Sequence, residues 1–125
     1  MSQVGEASYA LDWLNRIDAL RRTDPRYSCH AAAVHTEANR YTNVAPYDGA
    51  VLPGPYINAS LIPPLPDAER GFPCIASQAP LPSTYPTFFE HICTQKSRII
   101  LNLTPLEERG IPKSCLLYTS DAADE

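Results

Sequence analysis

Seven of the chain's 13 prolines fall between Pro46 and Pro73. A proline fixes its own φ and has no backbone donor, so it stops a helix and cannot sit inside a central strand. The middle of the chain is therefore turns and loops around short strands. Any long regular element must lie on either side. With 125 residues, 44% of them hydrophobic and 19% charged, one packed domain is the expectation.

Residues 8–22 read as an amphipathic helix. Ala10, Trp13, Leu14, Ile17 and Leu20 recur every three or four positions, and Pro25 ends the pattern. Trp13 is expected in the core. The alanine-rich stretch 28–38 suits a short second helix. Tyr56–Ile62 and Phe72–Gln78 read as strands, with Pro73 marking an edge or a start. Ser83 is the expected N-cap of a third helix, with Pro86 in its first turn. Tyr85, Phe88, Phe89, Ile92 and Cys93 form its stripe. The run Ser97–Leu103 reads as a buried strand. A helix between strands permits a crossover, and the class is α/β or α+β.

Composition excludes several functions. The net charge is -4, which argues against a nucleic-acid partner. No apolar run approaches the roughly 20 residues that span a bilayer, and no secretory leader is evident. Cys29, Cys74, Cys93 and Cys115 are widely spaced and match no histidine pair, so no metal site is expected. Reduced thiols point to the cytoplasm.

From position 39 the pattern becomes specific. The chain runs NRYTNVAPYDGAVL, YINASLI, FPCIASQAPLPSTYPTFFEHI and SRIILNLTPLEERGIPK. In this order it resembles the N-terminal half of a classical protein tyrosine phosphatase domain, of receptor or non-receptor type. The family pattern is N-R-Y-x-[DN]-V-x-P-Y-D, Y-I-N-A-S, Q-x-P, T-x-x-x-F-W, an aliphatic strand, then E-x-G and a lysine. The likeness covers about residues 10 to 114. It implies a twisted mixed β-sheet with flanking helices, cut short within 8–114. It also implies hydrolysis of phosphotyrosine in proteins through a cysteinyl phosphate, with no metal or cofactor and a phosphotyrosine protein or peptide as partner.

The resemblance assigns roles residue by residue. Tyr41 is the rigid aromatic that flanks the substrate ring. Asn43 stands where many members carry an aspartate that bonds the substrate backbone; it keeps an acceptor and loses the charge. Ala38 replaces a common lysine. Asn39, Arg40 and Asn58 are structural anchors. Glu108 would pair with the arginine of a phosphate loop, and Lys113 would lie near the loop of the general acid. Phe89 replaces tryptophan, and Ser114 replaces a frequent cysteine.

The reacting groups themselves are missing. The nucleophile signature is H-C-x-x-x-x-x-R. Six positions beyond the four cysteines stand His35, Pro80, Ile99 and Asp121. The single tryptophan, Trp13, is followed by Leu14 and Asn15, so no W-P-D acid loop exists. The final segment 115–125, CLLYTSDAADE, resembles a translated sequencing adapter and is expected to be a non-native tail. Without it the 14 acidic residues fall to 11 against 10 basic ones. Alone, the chain is expected to be inactive. The alternative is a non-catalytic phosphotyrosine-peptide binding module of phosphatase ancestry. A separate feature, Pro63-Pro64-Leu65-Pro66, has the P-x-x-P spacing of ligands for SH3 and WW grooves.

Overall fold

The computed structural model describes residues 3–67, 69–115 and 117. Most of the expected tail 115–125 therefore lies outside the described residues. The elements are α1 (Gln3–Thr23), α2 (His30–Val34), β1 (Ala59–Ile62), β2 (Cys74–Ser77), α3 (Tyr85–Thr94), β3 (Glu107–Glu108) and β4 (Ile111–Pro112). Short 3-10 turns at Pro25–Tyr27, Thr36–Ala38 and Pro82–Thr84 punctuate them. This is the mixed helix-and-strand class that the pattern implies. The strands form two antiparallel pairs, β1 with β2 and β3 with β4.

In the first pair Ala59 faces Ser77 and Ile62 faces Cys74. The ladder is shorter than either predicted strand. It begins only at Ala59; before it, the side chains of Tyr56 and Asn58 bond the loop at Asn39 and Val44, and Ile57 enters the core. An isolated bridge joins Val51 to Ser60, and the Gln78 N–H donates to the Asn58 carbonyl at 3.0 Å.

The core is small: Leu52, Ile57, Ala59 and Phe88 are buried, with Ile75, Ile92 and Leu117 against them. Helix α3 presents Phe88, His91 and Ile92 inward, while Phe89 and Cys93 are exposed. The inward histidine is explained by one bond. Its Nε2 lies 2.7 Å from the Pro55 carbonyl; a carbonyl can only accept, so Nε2 carries the proton. The bond ties the Pro53–Pro55 turn to α3. Gly54 stands at φ +104, a conformation that favours glycine, and a Cβ added there would lie 3.7 Å from the His91 ring. The start of α3 differs from expectation. Thr84 holds the N-cap, not Ser83, and its hydroxyl bonds the backbone of Leu81 rather than the helix.

Two apolar segments are not buried. On α1 Trp13 is 44% exposed and Leu14 62% exposed, so the predicted core stripe faces water. The Arg16 guanidinium covers the Trp13 ring at 4.7 Å, and Tyr9 meets it edge-on. Segment 97–103 forms no strand. Ile99, Leu101 and Leu103 are 80%, 79% and 90% exposed. A strand exists only by pairing, and the described residues give this one no neighbour.

Asp48 orders the start of α2 from a distance. Its carboxylate accepts from the Ser28 hydroxyl, from the Ala31 N–H at 2.8 Å and from the His30 N–H at 2.9 Å. The Ser28 bond, then the amide bonds, hold its carboxyl below the usual range, against a smaller opposing effect of burial. A depressed carboxyl stabilises the fold above its unfolded pKa, and this contribution is lost as pH falls through the folded value. Two outcomes are expected. Below about pH 4 the His30 and Ala31 amides should lose protection from hydrogen exchange, and Asp48→Asn should show weak protection at neutral pH already. The chain expressed alone should self-associate through its uncovered apolar segments; a sharp two-state melt of a monomer, with no rise in light scattering, would contradict this.

Candidate functional site

The segment 39–46 is a loop held at both ends by side chains. Asn39 is the first hold. Its Nδ2 donates to the carbonyls of Ala32 at 2.9 Å and His35 at 3.1 Å. Its Oδ1 accepts from the Tyr56 hydroxyl at 2.6 Å and from Asn58 Nδ2 at 3.1 Å. Burial pushes the Tyr56 phenol up, so it keeps its proton and remains a donor. Asn58, itself buried, also donates to the Val44 carbonyl at 2.8 Å. The loop is thereby gripped at 39 and again at 44.

Arg40 is the second hold. Its N–H donates to Gln78 Oε1 at 2.8 Å, its Nε to the Ala79 carbonyl at 3.1 Å and its Nη2 to the Pro80 carbonyl at 2.8 Å. Gln78 completes the exchange by donating Nε2 to the Ala38 carbonyl at 2.8 Å. A guanidinium suits such a place because its donors are fixed in a plane and fit successive carbonyls. The effect is to lay the loop across the chain leaving β2.

Held this way, Tyr41 stands out, 38% exposed. It lines two grooves at once. One, of about 540 Å³, is lined by Tyr41, Arg40, Asn58 and Gln78 together with Glu108 and Lys113. The other, of about 480 Å³, runs past Arg21, Asn39, Tyr41 and Asn43. The β3–β4 hairpin brings Glu108 and Lys113 into place. It turns through Arg109 at φ 53 and Gly110 at φ 76, and the Lys113 N–H donates to the Leu106 carbonyl at 2.9 Å. Lys113 Nζ then sits 5.2 Å from the centre of the Tyr41 ring, within reach of a cation–π attraction.

Tyr41, Glu108 and Lys113 thus line one groove, although 67 and 72 positions separate the last two from the first. Asn43 lines the other groove and not this one. Gln78 and Asp48 were not singled out in the sequence, yet both fix this region. The available signal was each residue's position, Gln78 at the end of a strand opposite N-R-Y and Asp48 closing P-Y-D. Among the described residues no cluster of His, Cys, Asp or Glu could hold a metal ion.

The family model described as protein-tyrosine phosphatase matches residues 35–125. The chain belongs to that family. It is 42% identical over 84 residues to human tyrosine-protein phosphatase non-receptor type 13, covering 64% of this chain and 3% of that protein. It is 33% identical over 117 residues to human tyrosine-protein phosphatase non-receptor type 4, covering 88% of this chain and 13% of that protein. It is also 35% identical over 98 residues to protein-tyrosine-phosphatase PTP1 of Arabidopsis thaliana, covering 71% of this chain and 28% of that protein. The chain therefore spans a minor part of each relative's length.

Within this phosphatase-family chain, Asn39 is the residue whose loss should be felt most. Asn39→Ala leaves the buried Asn58 amide short of one acceptor and unpins the Tyr56 hydroxyl. The expected local cost is about 2–4 kcal/mol, on the scale of leaving buried polar groups unmet, read as faster hydrogen exchange of the amides in segments 32–39 and 56–58. Asn39→Asp should fall close to Ala, since a carboxylate keeps the two acceptor bonds and loses both donors.

Proposed function

We propose that this chain is the N-terminal part of a phosphatase domain that removes phosphate from phosphotyrosine in proteins, and that its share of the work is to receive the aromatic ring. The observation that carries this reading is the meeting of Tyr41, Glu108 and Lys113 on one open groove. A phenol ring on a pinned loop offers a flat apolar face to a second ring at little entropic cost, because an aromatic side chain has only two rotatable bonds to fix. Asn43, lining the other groove, would bond the backbone of a bound peptide with both its amide donor and its acceptor.

Glu108 and Lys113 serve the parts that this sequence does not contain. A carboxylate on the groove wall can hold the guanidinium of an incoming phosphate loop for bidentate contact with the phosphoryl oxygens. Lys113 supplies a positive charge beside the ring, where a dianionic ester would lie. Asn39, Arg40 and Asn58 act through Tyr41, as positioning residues. The thiolate nucleophile and the general acid belong to sequence beyond Lys113, with 115–125 a non-native tail. We place the product in the cytoplasm, in keeping with four unpaired cysteines among the described residues.

The chain alone should not hydrolyse p-nitrophenyl phosphate, and titration with a phosphotyrosine peptide should give no measurable heat. Tight binding by the chain alone would favour the non-catalytic binding module instead. The reading frame continued past codon 114 should encode H-C-x-x-x-x-x-R; a transcript without it removes the enzyme reading. In that full product Tyr41→Ala should raise KM for a phosphotyrosine peptide by about tenfold or more, equivalent to about 1.4 kcal/mol, while Tyr41→Phe should leave it near the parent value. An unchanged KM for Tyr41→Ala would end the assignment.

A further inference from the structure

The connection between β1 and β2 carries a feature that the phosphotyrosine site does not use. Pro63, Pro64, Leu65 and Pro66 are all exposed. Leu65, at 77%, is among the more exposed large apolar side chains of the chain. A hairpin connection needs neither three prolines nor a leucine in water.

The backbone of this segment is nearly dictated by its sequence. Each proline holds φ at about -65°. A residue preceding proline is driven out of the helical region into extended or polyproline II geometry. Ile62, Pro63 and Leu65 all precede a proline. Accordingly, residues 63–65 carry no helix, strand or turn, and turns follow at 66–67 and 69–70. One end is anchored, because Ile62 pairs with Cys74 at the close of the ladder. Polyproline II repeats every three residues, so Pro63 and Pro66 share an edge, and Leu65 projects from another. Such a segment is stiff before it meets anything, and a partner would lose little free energy in ordering it.

We propose that Pro63–Pro66 is a docking segment for a small protein domain that reads polyproline II through an aromatic-lined groove of the WW kind. The flanking charge narrows the choice. Asp67 and Glu69 follow the prolines in exposed positions, with Arg70 the next charge after them. A groove bordered by lysine or arginine complements this edge, and a groove bordered by acids is repelled by it. Recognition would rest on Pro63 and Pro66 in the aromatic slots, with Leu65 adding apolar contact. The inference stands apart from the phosphotyrosine reading.

The test uses the full chain fused behind maltose-binding protein to keep it in solution, immobilised on a sensor. Two purified WW domains are passed over it, one with a basic groove border and one with an acidic border. Saturable binding of the basic-bordered domain is expected, weaker by more than about tenfold for P63A/P66A and for Leu65→Glu, with far-UV circular dichroism unchanged in both. Asp67→Lys should weaken that binding and improve the response of the acidic-bordered domain. Absence of saturable binding overturns the proposal. So does equal affinity for the parent and both proline and leucine variants, or a preference for an SH3 domain over either WW domain.

Discussion

The side-chain amide of Asn39 is the interaction on which the rest depends. All of its hydrogen-bonding capacity is used: two donors on the carbonyls of Ala32 and His35, and two acceptor positions on Tyr56 and Asn58. These four partners come from α2, from the turn after it, and from the segment leading into β1. One small group therefore joins three stretches of chain that have little apolar surface to hold them together. Serine is too short and has too few donors to replace it, and aspartate has no donor at all. The position of Tyr41, two residues on, follows from this knot and from the Arg40–Gln78 exchange beside it.

The structure is rich in specific polar bonds and poor in core. Among the described residues four hydrophobic side chains form the buried cluster, while the stripe of α1 and the run 97–103 face solvent. Small cores leave a domain marginal, since burial must exceed the loss of chain entropy. The polar network cannot substitute for the missing burial, because each exchanged hydrogen bond contributes only about 0.5–1.5 kcal/mol net. It does specify where loops lie. The site region is thus well defined in shape, in a chain with weak overall cohesion.

Much of this was legible in the sequence where the signal was local. Helix α1 follows from the spacing of Trp13, Ile17 and Leu20, and the two strands of the first ladder follow from short β-prone runs bounded by prolines. What failed was burial. Periodicity says that Trp13 and Leu14 share a stripe; it does not say that anything lies against it. The same holds for Ile99 to Leu103, whose composition suits a central strand but whose neighbours are not among the described residues. His91 shows the reverse. It stands outside the predicted stripe of Tyr85, Phe88, Phe89, Ile92 and Cys93, yet one carbonyl in a proline-bounded turn is enough to bring it inside. The convergence of Glu108 and Lys113 on Tyr41 came from family resemblance, since nothing local links residues so far apart in the chain.

Tyr41 belongs to the walls of both grooves. Val44 and Ala45 line both as well, so the two grooves share a wall built from one loop. A substitution at Tyr41 therefore alters two lining surfaces at once, and neither groove can be reshaped there without touching its neighbour.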